Sequence, residues 1–386
     1  MAVIEGLGVP ATTIFERMSR AAAETGAINL GQGFPDLADP PELIAAAQRA
    51  LTGKSNQYPP MRGLRELRQS VAGFYAREQG LALDESQVLV TSGATEALAA
   101  SILALVRPGD EVVLVQPLYD AYLPLVERAG GIARFVDLTP PAWTLPLDAL
   151  EAAMSERTRL LVLNTPNNPT GSLIDRATWE AIGVLAERHD CLVLCDEVWE
   201  AMLTEGAAHV SPLAVPGLRD RAIKIGSAGK IFSLTGWKVG WACARPELIA
   251  AIGASHQFLT FTTPPALQWA VAEGLDLSAA WHAGHRARYH AGRARLVAGL
   301  EQAGYVVLPN AATWFVTIDL AASGIALDDV TFCERSIPEA GVAAIPISSF
   351  YARGPLTGYV RLCFAKGDDT LDAAVSRLAR FRKSLI

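Results

Sequence analysis

The sequence predicts an α/β fold with a large domain on a mainly parallel, doubly wound sheet and a smaller α+β domain. The chain has 386 residues, beyond the roughly 250–300 residues at which single hydrophobic cores stop growing. Between about residues 85 and 245, short apolar runs alternate with Ala- and Leu-rich helical stretches, the pattern of βα units. After about residue 275 this alternation stops. Two domains are therefore expected.

Five apolar runs are predicted to form the strands of the large domain: QVLVTS (87–92), DEVVLVQ (110–116), RLLVLN (159–164), CLVLCD (191–196) and AIKIGS (222–227). Helical periodicity marks EALAASILALV (96–106) and TWEAIGVLAERH (178–189) as helices.

An Arg-, His- and Ala-rich stretch at 277–304 predicts a linker helix. The smaller domain is predicted to contain strands at 314–320 and 359–365 and a helix at 372–385. We expect three segments: residues 1–38 as an N-terminal arm of the small domain, 39–280 as the large domain, and 281–386 as the C-terminal small domain.

Composition excludes several classes of function. The 33 basic and 40 acidic residues give a net charge of −7, so we expect neither nucleic acid nor an anionic membrane as a partner. No apolar run approaches the roughly 20 residues of a membrane span. The N-terminal segment lacks a basic region followed by a continuous apolar one, which predicts a cytoplasmic protein. Five cysteines with no CxxC pair indicate core thiols rather than disulfides or a zinc site.

Polar or Gly- and Pro-rich segments follow each predicted strand of the large domain. In open α/β sheets, ligands bind at the carboxyl ends of the strands, so these loops are expected to converge on one site. In SGATEAL (92–98), Gly93 gives a tight exit from a strand, and the Ala94 and Thr95 amides open a helix that could hold an anion. An ordinary helix N-cap is the alternative and is favoured for this motif alone.

Three further loops carry candidate residues. The two prolines of NTPNNPTG (164–171) hold Asn168 rigidly. Asp196 ends an apolar strand, so its carboxylate needs a cationic partner. The alternative to a functional role is a structural ion pair between Asp196 and an arginine. Only six residues are lysines, and two of them, Lys230 and Lys238, lie with Ser227 in SAGKIFSLTGWKVGW (227–241). A basic turn is the less favoured interpretation of that loop.

Together with the aromatic ring of Tyr119, these residues match what pyridoxal phosphate needs. Its phosphate needs a helix N-terminus and a cation, its ring nitrogen a buried aspartate, and its aldehyde a lysine. Two other motifs are discounted. GLGVPA (6–11) matches a dinucleotide fingerprint only loosely because no strand precedes it. His282, His285 and His290 share a helix with several arginines, which predicts a solvated basic face, and no metal is expected.

Nine motifs in order carry a family resemblance over essentially the whole chain: NLGQGFPD (29–36), NQYPPMRGLRELR (56–68), SGATEAL, QPLYDAY (116–122), NTPNNPTG, CDEVWEAM (195–202), SAGKIFSLTGWKVGW, HQFLTF (256–261) and YVRLCFAK (359–366). With them the sequence resembles the class I/II aminotransferases of pyridoxal-phosphate fold type I. Within that family it is most similar to the kynurenine, glutamine and methionine transaminase branch.

The resemblance implies a role for each matching residue. Lys230 is implied to bond covalently to pyridoxal phosphate and to move the substrate proton, and Asp196 to keep the ring nitrogen protonated. The other implied cofactor contacts are Asn168 and Trp199 at the ring oxygen, Tyr119 on the ring face, and Ala94, Thr95, Ser227 and Lys238 at the phosphate. The implied substrate contacts are Phe15, Gly33, Asn168 and Arg361, with Arg361 binding the α-carboxylate. Tyr58 is implied to reach the phosphate of a neighbouring subunit, which predicts a homodimer with shared active sites.

One position departs from the family pattern. Trp199 stands where the family has tyrosine, and an indole N–H can donate a hydrogen bond but can neither accept one nor ionise. We therefore expect an active but slower enzyme.

The predicted reaction moves the amino group of an apolar, aromatic or glutamine-like L-amino acid to a 2-oxo acid in a ping-pong scheme. Phe15, Phe258 and Phe261 suggest an apolar substrate pocket, and no second arginine for a dicarboxylate is evident. The alternative is a cysteine-conjugate β-lyase that uses the same lysine and cofactor. A nicotinamide dehydrogenase on a similar sheet and a non-catalytic interaction protein are less favoured.

Overall fold

The structure is a computed structural model that describes residues 13–386. Backbone contacts divide the chain into a larger unit, residues 34–291 with 309–314, and a smaller unit of residues up to 33, 292–308 and 315–386. The predicted domain limits after residues 38 and 280 stay a prediction, because backbone contacts do not measure which segments fold independently. The discounted GLGVPA motif lies outside the described residues.

Within residues 13–386 the strands, in chain order, are β1 (Ile28–Asn29), β2 (Val88–Thr91), β3 (Glu111–Gln116), β4 (Ile132–Asp137), β5 (Thr158–Asn164), β6 (Leu192–Asp196), β7 (Ala222–Ser227), β8 (Gly240–Cys243), β9 (Val306–Val307), β10 (Phe315–Asp319), β11 (Val342–Ala343), β12 (Ile345–Pro346) and β13 (Tyr359–Cys363). The α-helices are α1 (Ile14–Thr25), α2 (Pro41–Gly53), α3 (Arg65–Gln79), α4 (Gly93–Leu105), α5 (Tyr122–Arg128), α6 (Leu147–Ala153), α7 (Arg176–Arg188), α8 (Ala228–Ile231), α9 (Pro246–Leu259), α10 (Pro265–Leu275), α11 (Ala279–Gln302), α12 (Asp329–Ala340) and α13 (Asp368–Leu385).

The larger unit contains a mixed, mainly parallel sheet with the strand order β2-β8-β7-β6-β5-β3-β4. The pairs β3–β4, β3–β5, β5–β6 and β6–β7 are parallel, and β8 runs antiparallel to both neighbours. Every residue of β2, β3, β6, β7 and β8 is buried, as expected for a sheet covered on both faces. The predicted doubly wound α/β fold is confirmed.

All five predicted strands of this sheet are present, but two further strands, β4 and β8, were not predicted. β4 is an edge strand with mostly exposed or half-buried residues, so it lacks the apolar run that marked the rest. β8 follows directly on the glycine-rich loop that ends the predicted site. Its first residue, Gly240, leaves room for the start of α4, because a Cβ there would lie 2.7 Å from the Ala94 nitrogen.

The smaller unit is the predicted α+β type. Its four-stranded antiparallel sheet has the order β12-β13-β10-β9, and a parallel pair joins β1 to β11. The amphipathic helices α12 and α13 contact each other. α1 begins at the N-cap Thr13, whose hydroxyl accepts the Glu16 N–H, and ends at Gly26 in the left-handed conformation, where glycine is favoured.

The prediction of a solvated basic face on α11 is wrong for two of its three histidines. His282 and His285 are each only 5% exposed. They pack among the aromatic rings of Phe74, Phe232 and Trp281, and burial lowers the pKa of His285 to about 4. Phe74 and Phe232, on other parts of the chain, pack against His282, and helical spacing within α11 gives no information about those two neighbours.

The cysteines agree with the sequence interpretation. All five lie in the described part of the chain, are buried, and form no disulfide. Between residues 13 and 386, no helix combines the length and the apolar character needed to cross a membrane.

Glu111 provides a test of the larger unit's stability. It is 2% exposed, and its carboxylate contacts Arg134 at 2.6 Å, Arg157 at 2.5 Å and Ser155 at 2.7 Å. Hydrogen bonds from Arg134 and Ser155 lower the pKa of Glu111 to about 2. Because the folded pKa is below the ordinary value, this stabilisation is present above pH about 4.5 and is lost as pH falls toward 2.

We therefore expect Glu111→Gln to lower the free energy of unfolding by about 1–2 kcal/mol at pH 7, after allowance for screening at the exposed arginines. The difference between parent and variant, measured by urea unfolding, should shrink steadily between pH 5 and pH 3. A difference that stays constant over this range would contradict the assignment.

Candidate active site

A pocket of about 220 Å³ lies at the carboxyl-end loops of the large sheet. β2, β5, β6 and β7 all end there, since Thr91 and Ser227 both pair with Gly240 and Asn164 pairs with Asp196. Nine of the predicted site residues line it: Ala94, Thr95, Tyr119, Asn168, Asp196, Trp199, Ser227, Lys230 and Lys238. The loops after separate strands therefore converge as predicted.

One end of the pocket is suited to an anion. α4 begins at Gly93, which has a φ of +76°, and the amides of a helix's first turn have no partner within the helix. A Cβ on Gly93 would lie 3.3 Å from the ammonium nitrogen of Lys238. A cation is unfavourable beside the positive end of a helix unless an anion lies between them. With the hydroxyl of Ser227 also lining the pocket, this end has the donors that a phosphate needs.

At another wall of the pocket, Asp196 is 5% exposed. Its Oδ2 accepts a 2.7 Å hydrogen bond from the Tyr122 hydroxyl, and its Oδ1 accepts one of 3.2 Å from the Val198 N–H. Burial raises the pKa of Asp196 to about 6, although the Tyr122 and Val198 hydrogen bonds and the charge of Lys230 oppose the rise. A buried carboxylate of this kind favours a cationic group beside it.

Asn168 is held by the loop that follows β5. Its N–H donates to Asn164 Oδ1 at 2.7 Å, and Asn164 Nδ2 donates to the carbonyl oxygen of Asp196 at 2.8 Å. The loop closes at Gly171, whose φ is +72° and where a Cβ would lie 2.7 Å from the Ala312 carbonyl oxygen. The Asn164 side chain thus joins the loop after β5 to the backbone at the end of β6.

Two tryptophans surround the amine of Lys230. Its Nζ lies 4.6 Å from the ring centroid of Trp199 and 5.3 Å from that of Trp314. The two rings meet edge to face, with centroids 4.9 Å apart, and both are buried. Trp199 was predicted from the sequence as a site residue, but Trp314 was not. Trp314 lies far along the chain from the pocket residues, and no local motif marks it.

Tyr119 and Tyr122 lie close together, with ring centroids 5.7 Å apart. Burial raises the pKa of Tyr119, which also has a side-chain hydrogen bond with Thr95. The sequence analysis missed Tyr122, although QPLYDAY contains both tyrosines at a spacing of three. Tyr122 begins α5, and that spacing is the signal that could have paired it with Tyr119.

The smaller unit brings together the other predicted substrate residues. Arg361 is 2% exposed, and its Nη2 donates to the Gly31 carbonyl oxygen at 2.5 Å. Its guanidinium carbon lies 3.9 Å from the ring centroid of Phe315, 5.2 Å from that of Phe350 and 5.4 Å from that of Phe15. Gly33 also packs here, since a Cβ on it would lie 2.6 Å from the Phe315 ring.

Three predicted residues lie at the surface of the single chain. Tyr58 is 84% exposed, Phe258 is 85% exposed and Phe261 is 38% exposed. The rings of Tyr58 and Phe261 meet edge to face at 5.7 Å. None of the three is among the described residues that line the pocket. Their roles therefore stay predictions.

Comparison with known proteins identifies the family. The family model described as aminotransferase class I and II matches residues 25–378. The chain belongs to this family. It is 43% identical to a probable N-succinyldiaminopimelate aminotransferase of Mycobacterium tuberculosis, over 96% of each chain. It is 33% identical to mouse kynurenine–oxoglutarate transaminase 1, over 98% of this chain and 97% of the other.

A crystal structure assigned a methionine aminotransferase function, from Escherichia coli, matches with a TM-score of 0.93 and 40% identity, over 97% of this chain and 98% of the other. The predicted enzyme class, fold type I architecture and transaminase branch are therefore confirmed.

This aminotransferase family depends on pyridoxal phosphate, and the pocket fits that group. Lys238, which lies beside the start of α4, favours binding of an anion. The buried Asp196 carboxylate favours binding of a cation such as a protonated ring nitrogen. Lys230 provides the amine between them in the same pocket. These three features lie in one unit and suit the three reactive parts of the cofactor.

The ionisation of Asp196 gives a prediction for cofactor binding. If the carboxylate must be charged to hold the ring nitrogen, the affinity of the cofactor-free protein for pyridoxal phosphate should fall by up to about tenfold per pH unit below pH 6. Tyr122→Phe removes a hydrogen bond to the charged form and should move the onset of this loss to higher pH.

Fluorescence titration with pyridoxal phosphate between pH 5 and pH 8 measures the effect. Asp196→Asn is the control, because any pH dependence that remains in it belongs to the cofactor. Parent and control curves that run parallel would contradict the prediction.

Trp199 gives a second prediction. Trp199→Tyr restores a side chain that can accept a hydrogen bond and ionise, so the pH midpoint of the visible absorbance of the cofactor-loaded protein should shift and turnover should rise. Trp269→Tyr is the matched control, since Trp269 lies on α10 outside the residues that line the pocket. Titration and turnover identical to the parent in the Trp199→Tyr variant would refute the expected role.

Proposed function

We propose that this aminotransferase transfers the amino group of an apolar, aromatic or glutamine-like L-amino acid, such as methionine, to a 2-oxo acid. The observation that carries the proposal is the aromatic surroundings of Arg361. Its guanidinium can bind an α-carboxylate in a bidentate manner, while Phe15, Phe315 and Phe350 offer apolar contacts for a side chain.

In this proposal the pocket of the larger unit holds pyridoxal phosphate through the predicted residues. The phosphate binds to the Ala94 and Thr95 amides, Ser227 and Lys238. Asp196 holds the ring nitrogen, Asn168 and Trp199 contact the ring oxygen, and Tyr119 packs on the ring. Lys230 bonds to the aldehyde carbon. When bound, the cofactor accepts the electron pair left as the substrate Cα–H bond breaks.

The protein residues then position the substrate and move its proton. Arg361 binds the α-carboxylate, Gly33 leaves room for the substrate, and Asn168 contacts it. Lys230 Nζ would accept the proton from the substrate Cα and hold it for return, and the bound cofactor would supply the sink for the electron pair left on Cα. Asp196 keeps the ring nitrogen protonated while this happens. The second substrate, a 2-oxo acid, passes through the same steps in reverse.

The quaternary and cellular parts of the proposal follow the family resemblance. A homodimer with shared active sites would give the exposed Tyr58 a place at the neighbouring subunit's phosphate. A cytoplasmic location and small-molecule substrates complete it.

Two other activities are kept as candidates. The relative of 43% identity carries the name N-succinyldiaminopimelate aminotransferase, which favours a longer donor with additional carboxylates that would need a further cation. A cysteine-conjugate β-lyase would use the same lysine and would release pyruvate and a thiol without any need for a 2-oxo acid.

A donor panel with the purified enzyme separates these candidates. We expect methionine, glutamine and phenylalanine to react with a 2-oxo acid at higher kcat/KM than N-succinyl-diaminopimelate. Arg361→Lys should lower kcat/KM for methionine by about 100-fold, because lysine lacks the bidentate geometry. Arg20→Lys, an exposed position on α1, is the control. Preference for the succinylated donor, or thiol release without an oxo acid, would overturn the proposal.

A further inference from the structure

A buried group of charged side chains includes Glu197, the residue that follows Asp196. Lys224 on β7 is fully buried, as is Glu197, and Glu200 is 5% exposed. The Lys224 ammonium contacts Glu197 Oε2 at 2.6 Å and also contacts Glu200 Oε2. We call these three residues the Lys224 cluster. The pocket and its proposed chemistry make no direct use of it.

Both oxygens of each carboxylate accept hydrogen bonds from neighbouring side chains. Glu197 accepts a hydrogen bond from His209 Nε2 at 2.6 Å and another from the Ser211 hydroxyl at 3.0 Å. Glu200 accepts a hydrogen bond from the Tyr75 hydroxyl at 2.6 Å and another from Gln79 Nε2 at 2.5 Å. Buried charges persist when they are paired and hydrogen-bonded in this way.

The pKa values of Lys224 and Glu197 both shift in the direction that favours the charged forms. Burial alone would lower the pKa of Lys224, but the charges of Glu197 and Glu200 outweigh burial and raise it above its ordinary value. Burial alone would raise the pKa of Glu197, but the Lys224 charge and the His209 hydrogen bond outweigh it and lower it. The Lys224 ammonium and the Glu197 carboxylate therefore face each other as charges.

Lys224 supplies the positive charge of this group of side chains. One carboxylate oxygen each from Glu197 and Glu200 and one ring nitrogen of His209 lie within 4.8 Å of one another. The Lys224 nitrogen contacts both carboxylates, and His209 Nε2 points to the same Glu197 oxygen as the ammonium does. The cation of this group of described residues is therefore supplied by the chain itself.

The Lys224 cluster is connected to the pocket through the turn after β6. The Glu197 N–H donates to the Ile225 carbonyl oxygen at 3.0 Å, and the Glu200 N–H donates to that of Glu197 at 2.9 Å. This turn, residues 196–200, contains the pocket-lining Asp196, Val198 and Trp199. The Lys224 ammonium on β7 thus restrains the turn that carries these side chains.

Glu197, which the ammonium contacts, acts on Asp196 electrostatically. The charged and titratable groups that face Asp196 are Tyr119, Tyr122, Lys230, Glu197 and Cys195, and the negative charge of Glu197 opposes ionisation of Asp196. The groups that face Lys224 are Glu197, Glu200, Tyr75, Cys195 and Cys243. A charge on Lys224 offsets that of Glu197, so its loss should make Asp196 harder to ionise.

We propose that Lys224 is a positioning residue of this aminotransferase, whose buried ammonium fixes the 196–200 turn and keeps Asp196 charged toward the cofactor ring nitrogen. This inference rests on the proposed function, in which Asp196 holds that nitrogen. It assigns a role to a lysine that does not touch the pocket.

Opposite charge changes within the same ion pair distinguish this role from a merely structural one. Lys224→Met and Glu197→Gln both break the pair, so both lower the melting temperature. The first leaves an uncompensated negative charge near Asp196, and the second removes one. We expect the pH midpoint for pyridoxal phosphate binding to rise by about half a unit or more in Lys224→Met and to fall in Glu197→Gln.

The measurement is fluorescence titration of the cofactor-free variants with pyridoxal phosphate from pH 5 to pH 8. If Lys224→Met does not fold, Lys224→Met/Glu200→Gln takes its place, because removing both partners of a buried pair costs less than removing one. The double variant should also raise the midpoint. Glu111→Gln is the matched control: it breaks a buried carboxylate–arginine group at the start of β3 and should leave the midpoint unchanged.

The outcomes separate this inference from the proposed function. Midpoints that move in the same direction, or not at all, while the parent binds pyridoxal phosphate normally, would overturn the role of Lys224 alone. A parent protein that binds no pyridoxal phosphate, or a Lys230→Ala variant with the parent's affinity and absorbance, would overturn the proposed function instead.

Discussion

The arrangement of the larger unit depends on the burial of one carboxylate, that of Asp196, at the end of a central strand. β6 lies between β5 and β7, so its last residue is surrounded by protein on both sides. A charge in that place is unfavourable unless nearby groups compensate it. Tyr122 and Val198 donate hydrogen bonds to it, and Lys230 provides a positive charge in the same pocket. The neighbouring loops are therefore organised around Asp196.

A second constraint has the opposite sign. At the start of α4, the helix dipole and the Lys238 ammonium both present positive charge to the same space. The pocket thus has a positive end that stabilises an anion and a negative wall that stabilises a cation. A small molecule with a phosphate at one end and a basic ring nitrogen at the other would satisfy both.

Sequence patterns predicted the strands and most of the site because both depend on local order in the chain. Buried parallel strands appear as apolar runs, and the residues after them meet at one edge of the sheet. β4 was missed because it is an edge strand with a weak pattern. Contacts between distant segments were missed for another reason: the burial of His282 and the approach of Trp314 to Lys230 depend on packing that no local spacing encodes.

The surroundings of Lys224 and Lys230 suit two different tasks. Lys224 lies between two carboxylates, which keep it charged and immobile, as a structural cation requires. Lys230 lies instead against the faces of Trp199 and Trp314, which attract an ammonium only weakly, by about 0.5–2 kcal/mol. Direct contact with two carboxylates opposes loss of the Lys224 proton, whereas the two aromatic faces position the Lys230 amine with a weaker attraction for its charged form. This contrast explains how one strand and the short helix after it, β7 and α8, can hold both a fixed charge and a reactive amine.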